Sequence, residues 1–219
     1  MGSDKIHHHH HHMEELLKEL ERIREEAKPL VEQRFEEFKR LGEEGTEEDL
    51  FCELSFCVLT ANWSAEGGIR AQKEIGKGFV HLPLEELAEK LREVGHRYPQ
   101  KRAEFIVENR KLLGKLKNLV KGDPFQSREF LVRNAKGIGW KEASHFLRNT
   151  GVEDLAILDK HVLRLMKRHG LIQEIPKGWS KKRYLYVEEI LRKVAEAFGE
   201  SPGKFDLYLW YLVKGKVDK

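Results

Sequence analysis

The chain has 219 residues, with 40 Lys/Arg against 37 Asp/Glu for a formal net charge of +3, and 40% of its residues are hydrophobic. No apolar run reaches the roughly 20 residues of a membrane-spanning helix, and the hydrophobic content excludes a disordered chain. Cys52 and Cys57 are the only cysteines, too few for a disulfide scaffold, a four-cysteine zinc site or a four-cysteine iron–sulfur cluster.

Residues 1–12 contain His7–His12 and read as an expression tag. No secretory signal is expected, and the expected setting is the cytoplasm of a microbe. From residue 14 to 41, Leu16, Leu20, Ile23, Ala27, Leu30, Val31, Phe35 and Phe38 recur on a helical period. Pro29 is expected to break or kink this helix. Thr46 before Glu47, Glu48 and Asp49 is an N-cap with an acidic first turn. It opens a helix, residues 50–61, apolar enough to be buried all round, with both cysteines as core thiols.

Asn62 to Gly68 reads as a turn, followed by a helix over about 69–77. Pro83 and Leu84 with Glu85 and Glu86 start another, ended by Gly95. Tyr98-Pro99 is a turn, and 100–119 is predicted as one long amphipathic helix. Gly122-Asp123-Pro124 breaks the chain before a helix over 126–135. Helices are then predicted over 141–149, 160–169, 181–198 and 203–213. No strand pattern is present, so the fold class is all-α.

The charge is unevenly laid out. Residues 13–49 carry seven basic and fourteen acidic side chains, whereas residues 136–183 carry eleven basic and five acidic ones. Such asymmetry places a polyanion on one face or is an ordinary solvated surface.

Lys136-Gly137-Ile138-Gly139-Trp140-Lys141 joins two of the predicted helices. Glycines here leave backbone N–H groups uncovered beside a helix N-terminus, suited to a phosphate contact that reads no sequence. The same segment serves equally as a tight connection anchored by Ile138. It is neither a P-loop nor a dinucleotide fingerprint.

This hairpin, Lys141 after it and Asp159 eighteen residues on together resemble the helix-hairpin-helix superfamily of DNA base-excision glycosylases. Leu59-Thr60-Ala61-Asn62 is similar to that family's L-S-A-Q stretch. Gly95-His96-Arg97-Tyr98-Pro99-Gln100-Lys101 is similar to its G-x-Y-x-x-K turn, and Ala156-Ile157-Leu158-Asp159-Lys160-His161 to its V-x-V-D-x-H segment. The matches fall in family order across residues 50–165. The short chain, Asn62-Trp63-Ser64-Ala65 and the C-terminal lysine resemble the compact microbial second class of 8-oxoguanine DNA glycosylase/AP lyases. Ala135-Lys136 departs from the Leu-Pro usual before the hairpin, and the C-terminal cysteine cluster of other branches is missing.

The resemblance implies roles. Lys141 would attack the sugar C1′ and form a Schiff base, which makes the C2′ proton acidic and permits β-elimination. Asp159 would orient the nucleophile and stabilise positive charge on the sugar, while also able to cap the helix it precedes. Gly137, Gly139 and Lys136 would hold DNA phosphate. Asn62 would fill the stack left by a flipped nucleotide or serve as a helix cap. His145, Trp210, Trp63 and Lys219 are candidates for the lesion pocket, although aromatic residues at helical spacing also build cores.

No metal site is expected, because a cysteine pair and H-E-x-x-H are both absent, and no cofactor is required. The family hairpin can hold a monovalent cation on backbone carbonyls. The expected architecture is a central lobe, 43–153, with the hairpin, and a second lobe from 13–42 and 154–219, with the site in the cleft between them. The expected partner is duplex DNA containing an oxidised base, bound by a monomer with no membrane. A glycosylase/lyase for oxidised pyrimidines and a non-catalytic hairpin DNA-binding protein are the alternatives.

Overall fold

The computed structural model describes the backbone of residues 2–219 and side chains from Met13 onward, and every regular element among the described residues is helical. In chain order these are α1 Gly2–Glu44, α2 Glu47–Thr60, α3 Ala65–Ile75, α4 Gly78–His81, α5 Leu84–Glu93 and α6 Pro99–Asn109. A 3₁₀ turn, Arg110–Leu112, follows, then α7 Leu116–Lys121, α8 Pro124–Asn134, α9 Trp140–Arg148, α10 Lys160–Arg168, α11 Lys181–Phe198 and α12 Pro202–Lys214.

Two compact units divide the chain, one of residues 36–152 and one of residues 1–35 with 153–219. The division falls inside α1, after Phe35, and not near the Gly42–Gly45 stretch where the sequence places it. The reason is that the last turns of α1 pack within the 36–152 unit. The Arg148 guanidinium lies 5.0 Å over the Phe38 ring, and any Cβ at Gly42 would fall on the Thr150 carbonyl.

The 36–152 unit is built around α2, which is buried from Leu50 to Thr60 on all faces except Cys52. Thr46 and Asp49 complete a capping box at its start, with Asp49 N–H donating to Thr46 Oγ1 at 3.1 Å and Thr46 N–H to Asp49 Oδ2 at 2.9 Å. Cys57 is buried and Cys52 half-buried, both as free thiols. Burial pushes the Cys52 thiol up to about 11, which keeps it protonated and unreactive.

The second unit buries Leu16, Leu20, Ala27 and Val31 of α1 together with the apolar faces of α10, α11 and α12. Phe198 is central there, with Phe205 at 5.5 Å, Tyr208 at 5.0 Å and the Arg24 guanidinium 3.6 Å over its ring.

Three helix boundaries differ from the sequence pattern. Pro29 lies inside α1, which runs on through it. The missing hydrogen bond costs about 3 kcal/mol, and this is offset by fully burying several leucine-sized side chains at about 1.5–3 kcal/mol each. The long helix expected over 100–119 is broken, with Gly114 in the left-handed region at φ +94°. Glu47 stabilises the break by accepting from the N–H groups of Gly114, Leu116 and Lys117 at 2.7–3.0 Å. α3 starts earlier than expected because Ser64 Oγ caps it by accepting from Gly67 N–H at 3.0 Å. Gly67 and Gly68 are needed inside that helix, since a Cβ would meet the Trp63 ring at 2.5 Å and the Phe56 ring at 2.6 Å.

Candidate active site

The hairpin between α8 and α9 has a defined scaffold. Gly137 is left-handed at φ +73°, and a Cβ there would meet Phe105 at 2.7 Å and Val58 at 3.2 Å. Ile138 is buried and anchors the loop. The buried Asn109 side chain clamps the backbone of Lys136. Its Nδ2 donates to the Lys136 carbonyl at 2.9 Å, and its Oδ1 accepts from the Lys136 N–H at 2.7 Å. The Lys136 side chain itself is exposed.

Lys141 stands at the second position of α9. Its Nζ lies 3.2 Å from Glu142 Oε2, with the two side chains only 17% and 14% exposed. The other oxygen, Glu142 Oε1, accepts from the Gly139 N–H at 3.0 Å. A carboxylate at the third position of a helix stabilises its N-terminus. One consequence is that the Gly139 N–H is already engaged, so the hairpin donors free for an anion are fewer than its sequence implies.

His145, one turn after Lys141, is 7% exposed, with its ring edge-on to Phe56 at 5.6 Å. It is a packed residue with little surface to offer.

Asn62 follows α2 at φ +62°, the one non-glycine residue with positive φ among the described residues, and it is exposed. Asparagine tolerates this region better than most side chains. The turn around it is braced from the segment 95–102. His96 Nε2 lies 3.0 Å from the Leu59 carbonyl, and Tyr98 N–H donates to His96 Nδ1 at 3.0 Å. Arg102 Nη2 donates to the Ala61 carbonyl at 3.1 Å. Trp63 packs on the His96 ring at 4.6 Å and on Gly67, so it is held as part of the turn.

In the other unit, Asp159 is the N-cap of α10, its Oδ1 accepting from Val162 N–H at 2.9 Å. The extended segment before it is fixed by two side chains of α11. Tyr184 donates its hydroxyl to the Ala156 carbonyl at 2.7 Å and accepts from Leu158 N–H at 3.2 Å, and buried Glu188 accepts from Ala156 N–H at 2.9 Å. Trp210 tilts against His161 at 5.3 Å. Both line a shallow, apolar surface depression with Val162, Leu165, Leu209 and Val213. Lys219 is half-buried, in a C-terminal segment whose Val217 carbonyl accepts from Arg34 at 3.2–3.3 Å.

A family model described as 8-oxoguanine DNA glycosylase matches residues 31–200. The chain belongs to the 8-oxoguanine DNA glycosylase family. The 8-oxoguanine DNA glycosylase/AP lyase of Methanocaldococcus jannaschii is 50% identical over 207 residues, covering 93% of this chain and 99% of that protein. The protein of the same name from Aquifex aeolicus is 42% identical over 224 residues, covering 93% and 99%. The crystal structure of the M. jannaschii glycosylase superposes with a TM-score of 0.90 at 51% identity, over 97% of this chain and 99% of that one. Its complex with 15mer DNA containing 8-oxoguanine gives 0.89 at 49% identity, over 93% and 99%. The all-α fold of this chain is thus that of a helix-hairpin-helix glycosylase, in its second 8-oxoguanine class.

Several residues that position the candidate site residues carry no local sequence signal. Glu142 beside Lys141, Asn109 under the hairpin, and Tyr184 and Glu188 behind Asp159 all act through contacts that only the fold creates. Among the described residues, no group of three His, Cys, Asp or Glu side chains is placed to hold a metal ion. A monovalent cation at the hairpin would need backbone carbonyls, and that of Lys136 is already shared with Asn109. That carbonyl keeps a second lone pair, and no chemistry below depends on the ion.

Proposed function

We propose that this chain excises 8-oxoguanine from duplex DNA and then cleaves the strand, with Lys141 as the nucleophile. The observation that carries the reading is the 50% identity, over nearly the whole of both chains, to a protein named 8-oxoguanine DNA glycosylase/AP lyase. The unprotonated Lys141 amine attacks C1′ as the C1′–N9 bond breaks and the base departs with a proton. Opening of the sugar ring gives an iminium between Nζ and C1′. Loss of the C2′ proton then expels the 3′-phosphate by β-elimination, and hydrolysis of the imine frees Lys141. Asp159 stabilises the positive charge that develops on the sugar, and its role as a cap holds that carboxylate in one orientation.

Asn62 enters the stack in place of the extruded nucleotide. Its exposure on a braced turn supports this. The hairpin around Gly137 and Gly139, with the exposed Lys136, contacts the DNA backbone. Trp210, Lys219 and, secondarily, His145 and Trp63 serve the lesion pocket, and the shallow depression at Trp210 supports that residue's part. The protein acts as a monomer in the cytoplasm. No described helix is long and apolar enough to cross a membrane.

The test is single-turnover excision from identical duplexes carrying 8-oxoguanine, undamaged guanine or thymine glycol. Fastest removal of 8-oxoguanine is expected. Faster removal of thymine glycol would move the substrate to oxidised pyrimidines and leave the lysine chemistry standing.

A further inference from the structure

Glu142 is the charged group in contact with the Lys141 amine. It sits next in sequence, yet adjacent side chains on a helix usually point apart. Here the first turn of α9 is tied back on itself. One carboxylate oxygen takes the Gly139 N–H at 3.0 Å and the other faces Nζ at 3.2 Å. The anchor is rigid, because Gly139 follows Ile138, which is buried, and Gly137, which is wedged against Phe105. A third charge joins them. The Glu142 carboxylate opposes the fall that burial imposes on the Arg102 guanidinium, and Arg102 also holds the Ala61 carbonyl beside Asn62.

A free lysine side chain samples many rotamers, and fixing its amine removes that freedom before the reaction begins. We propose that Glu142 is the positioning residue for the nucleophile, holding the Lys141 amine at the hairpin end of α9 through a carboxylate anchored on Gly139. This rests on the assignment of Lys141 as the nucleophile. The proposal concerns place and not proton supply. A slower reaction at saturating enzyme, with affinity and melting unchanged, reports lost position of the amine.

The experiment uses an abasic-site duplex, so that base recognition plays no part. Trapping with borohydride is followed at saturating enzyme, and affinity is measured on a duplex carrying a tetrahydrofuran abasic analogue. Glu142→Gln keeps an oxygen for the Gly139 N–H and loses the charge. Its trapping rate is expected to fall about tenfold or more, in the range that misplacing a reacting group by a fraction of an ångström produces. Affinity should stay within about twofold and the melting midpoint within about 2 °C. A trapping rate equal to or above that of the unaltered protein overturns the proposal and leaves Glu142 as a helix cap only. Weaker affinity with an unchanged rate at saturation also overturns it, in favour of DNA binding. Should Glu142→Gln fail to fold, Glu142→Asp and Glu142→Asn form a second pair of equal length. The charged member is expected to trap about tenfold faster, and equal rates overturn the proposal. Lys141→Gln is run alongside. If it still traps, the assignment of the nucleophile fails, an outcome distinct from failure of the Glu142 proposal.

Discussion

His96 and Leu59 are joined by a 3.0 Å contact between imidazole Nε2 and the backbone carbonyl, three residues before Asn62. Because Tyr98 N–H donates to Nδ1, Nδ1 carries no proton and Nε2 is the donor. The ring is therefore neutral, and burial holds its pKa below the ordinary histidine value. Protonation would set an N–H against the Tyr98 N–H. A histidine depressed in the folded state contributes stability that is present above its unfolded value of about 6.5 and is lost as pH falls below it. The melting midpoint is expected to fall more steeply from pH 7 to pH 5 in the unaltered protein than in His96→Gln. Parallel slopes would remove His96 from the turn's pH response.

Asn62 combines exposure with a left-handed backbone. Glycine accepts that backbone freely, whereas alanine costs about 1–2 kcal/mol there. Asn62→Gly should therefore melt near the unaltered protein and Asn62→Ala below it. Both should lose excision of 8-oxoguanine, yet retain strand cleavage at a pre-formed abasic site, where no base must be displaced. Equal loss of both activities would contradict the stack-filling role.

The two hairpin glycines should behave differently. Gly137→Ala must accommodate a left-handed alanine and a clash with Phe105, a cost of about 1–3 kcal/mol or more. Gly139 has ordinary angles, φ −95° and ψ −166°, and a Cβ there meets only the end of Glu142 at 3.1 Å. Gly139→Ala should lose less than about 1 kcal/mol. If the hairpin holds phosphate, Gly139→Ala weakens binding to lesion and undamaged duplex alike. Denaturant melts and duplex titrations check both statements, and a loss confined to lesion DNA would place the hairpin in the recognition pocket.

Asp159→Asn keeps an oxygen for Val162 N–H and removes the charge. Excision is expected to fall about 10²-fold or more with little change in melting. Tyr184→Phe removes the hydroxyl shared by Ala156 and Leu158, costing about 1–3 kcal/mol, and should slow excision less than Asp159→Asn does. An Asp159→Asn rate near that of the unaltered protein would remove the carboxylate from the chemistry.

The parts of this fold legible in the sequence are those set by near neighbours. α2 reads as buried because its apolar residues run unbroken, and its cap is written in Thr46 and Asp49. The hairpin is visible because Gly-Ile-Gly interrupts a helical pattern. What the sequence does not show depends on distant partners. The break before α7 is held by Glu47, 67–70 residues away in the chain, and the hairpin clamp comes from Asn109, 27 residues from Lys136. Helical spacing puts His145 one turn from Lys141, but only packing on Phe56 shows how little of its ring is exposed. Glu142 was adjacent in sequence and still hidden, since helical geometry directs neighbouring side chains apart and only the Gly139 contact brings it back to Lys141.

The proposed chemistry turns on a covalent bond between Lys141 and the sugar. It is tested most directly by reacting the protein with an 8-oxoguanine duplex under borohydride, digesting the adduct and identifying the modified peptide by mass spectrometry. The reduced sugar remnant is expected on Lys141, with none in Lys141→Gln. A remnant on Lys136 or any other amine, or excision with no adduct, would contradict it.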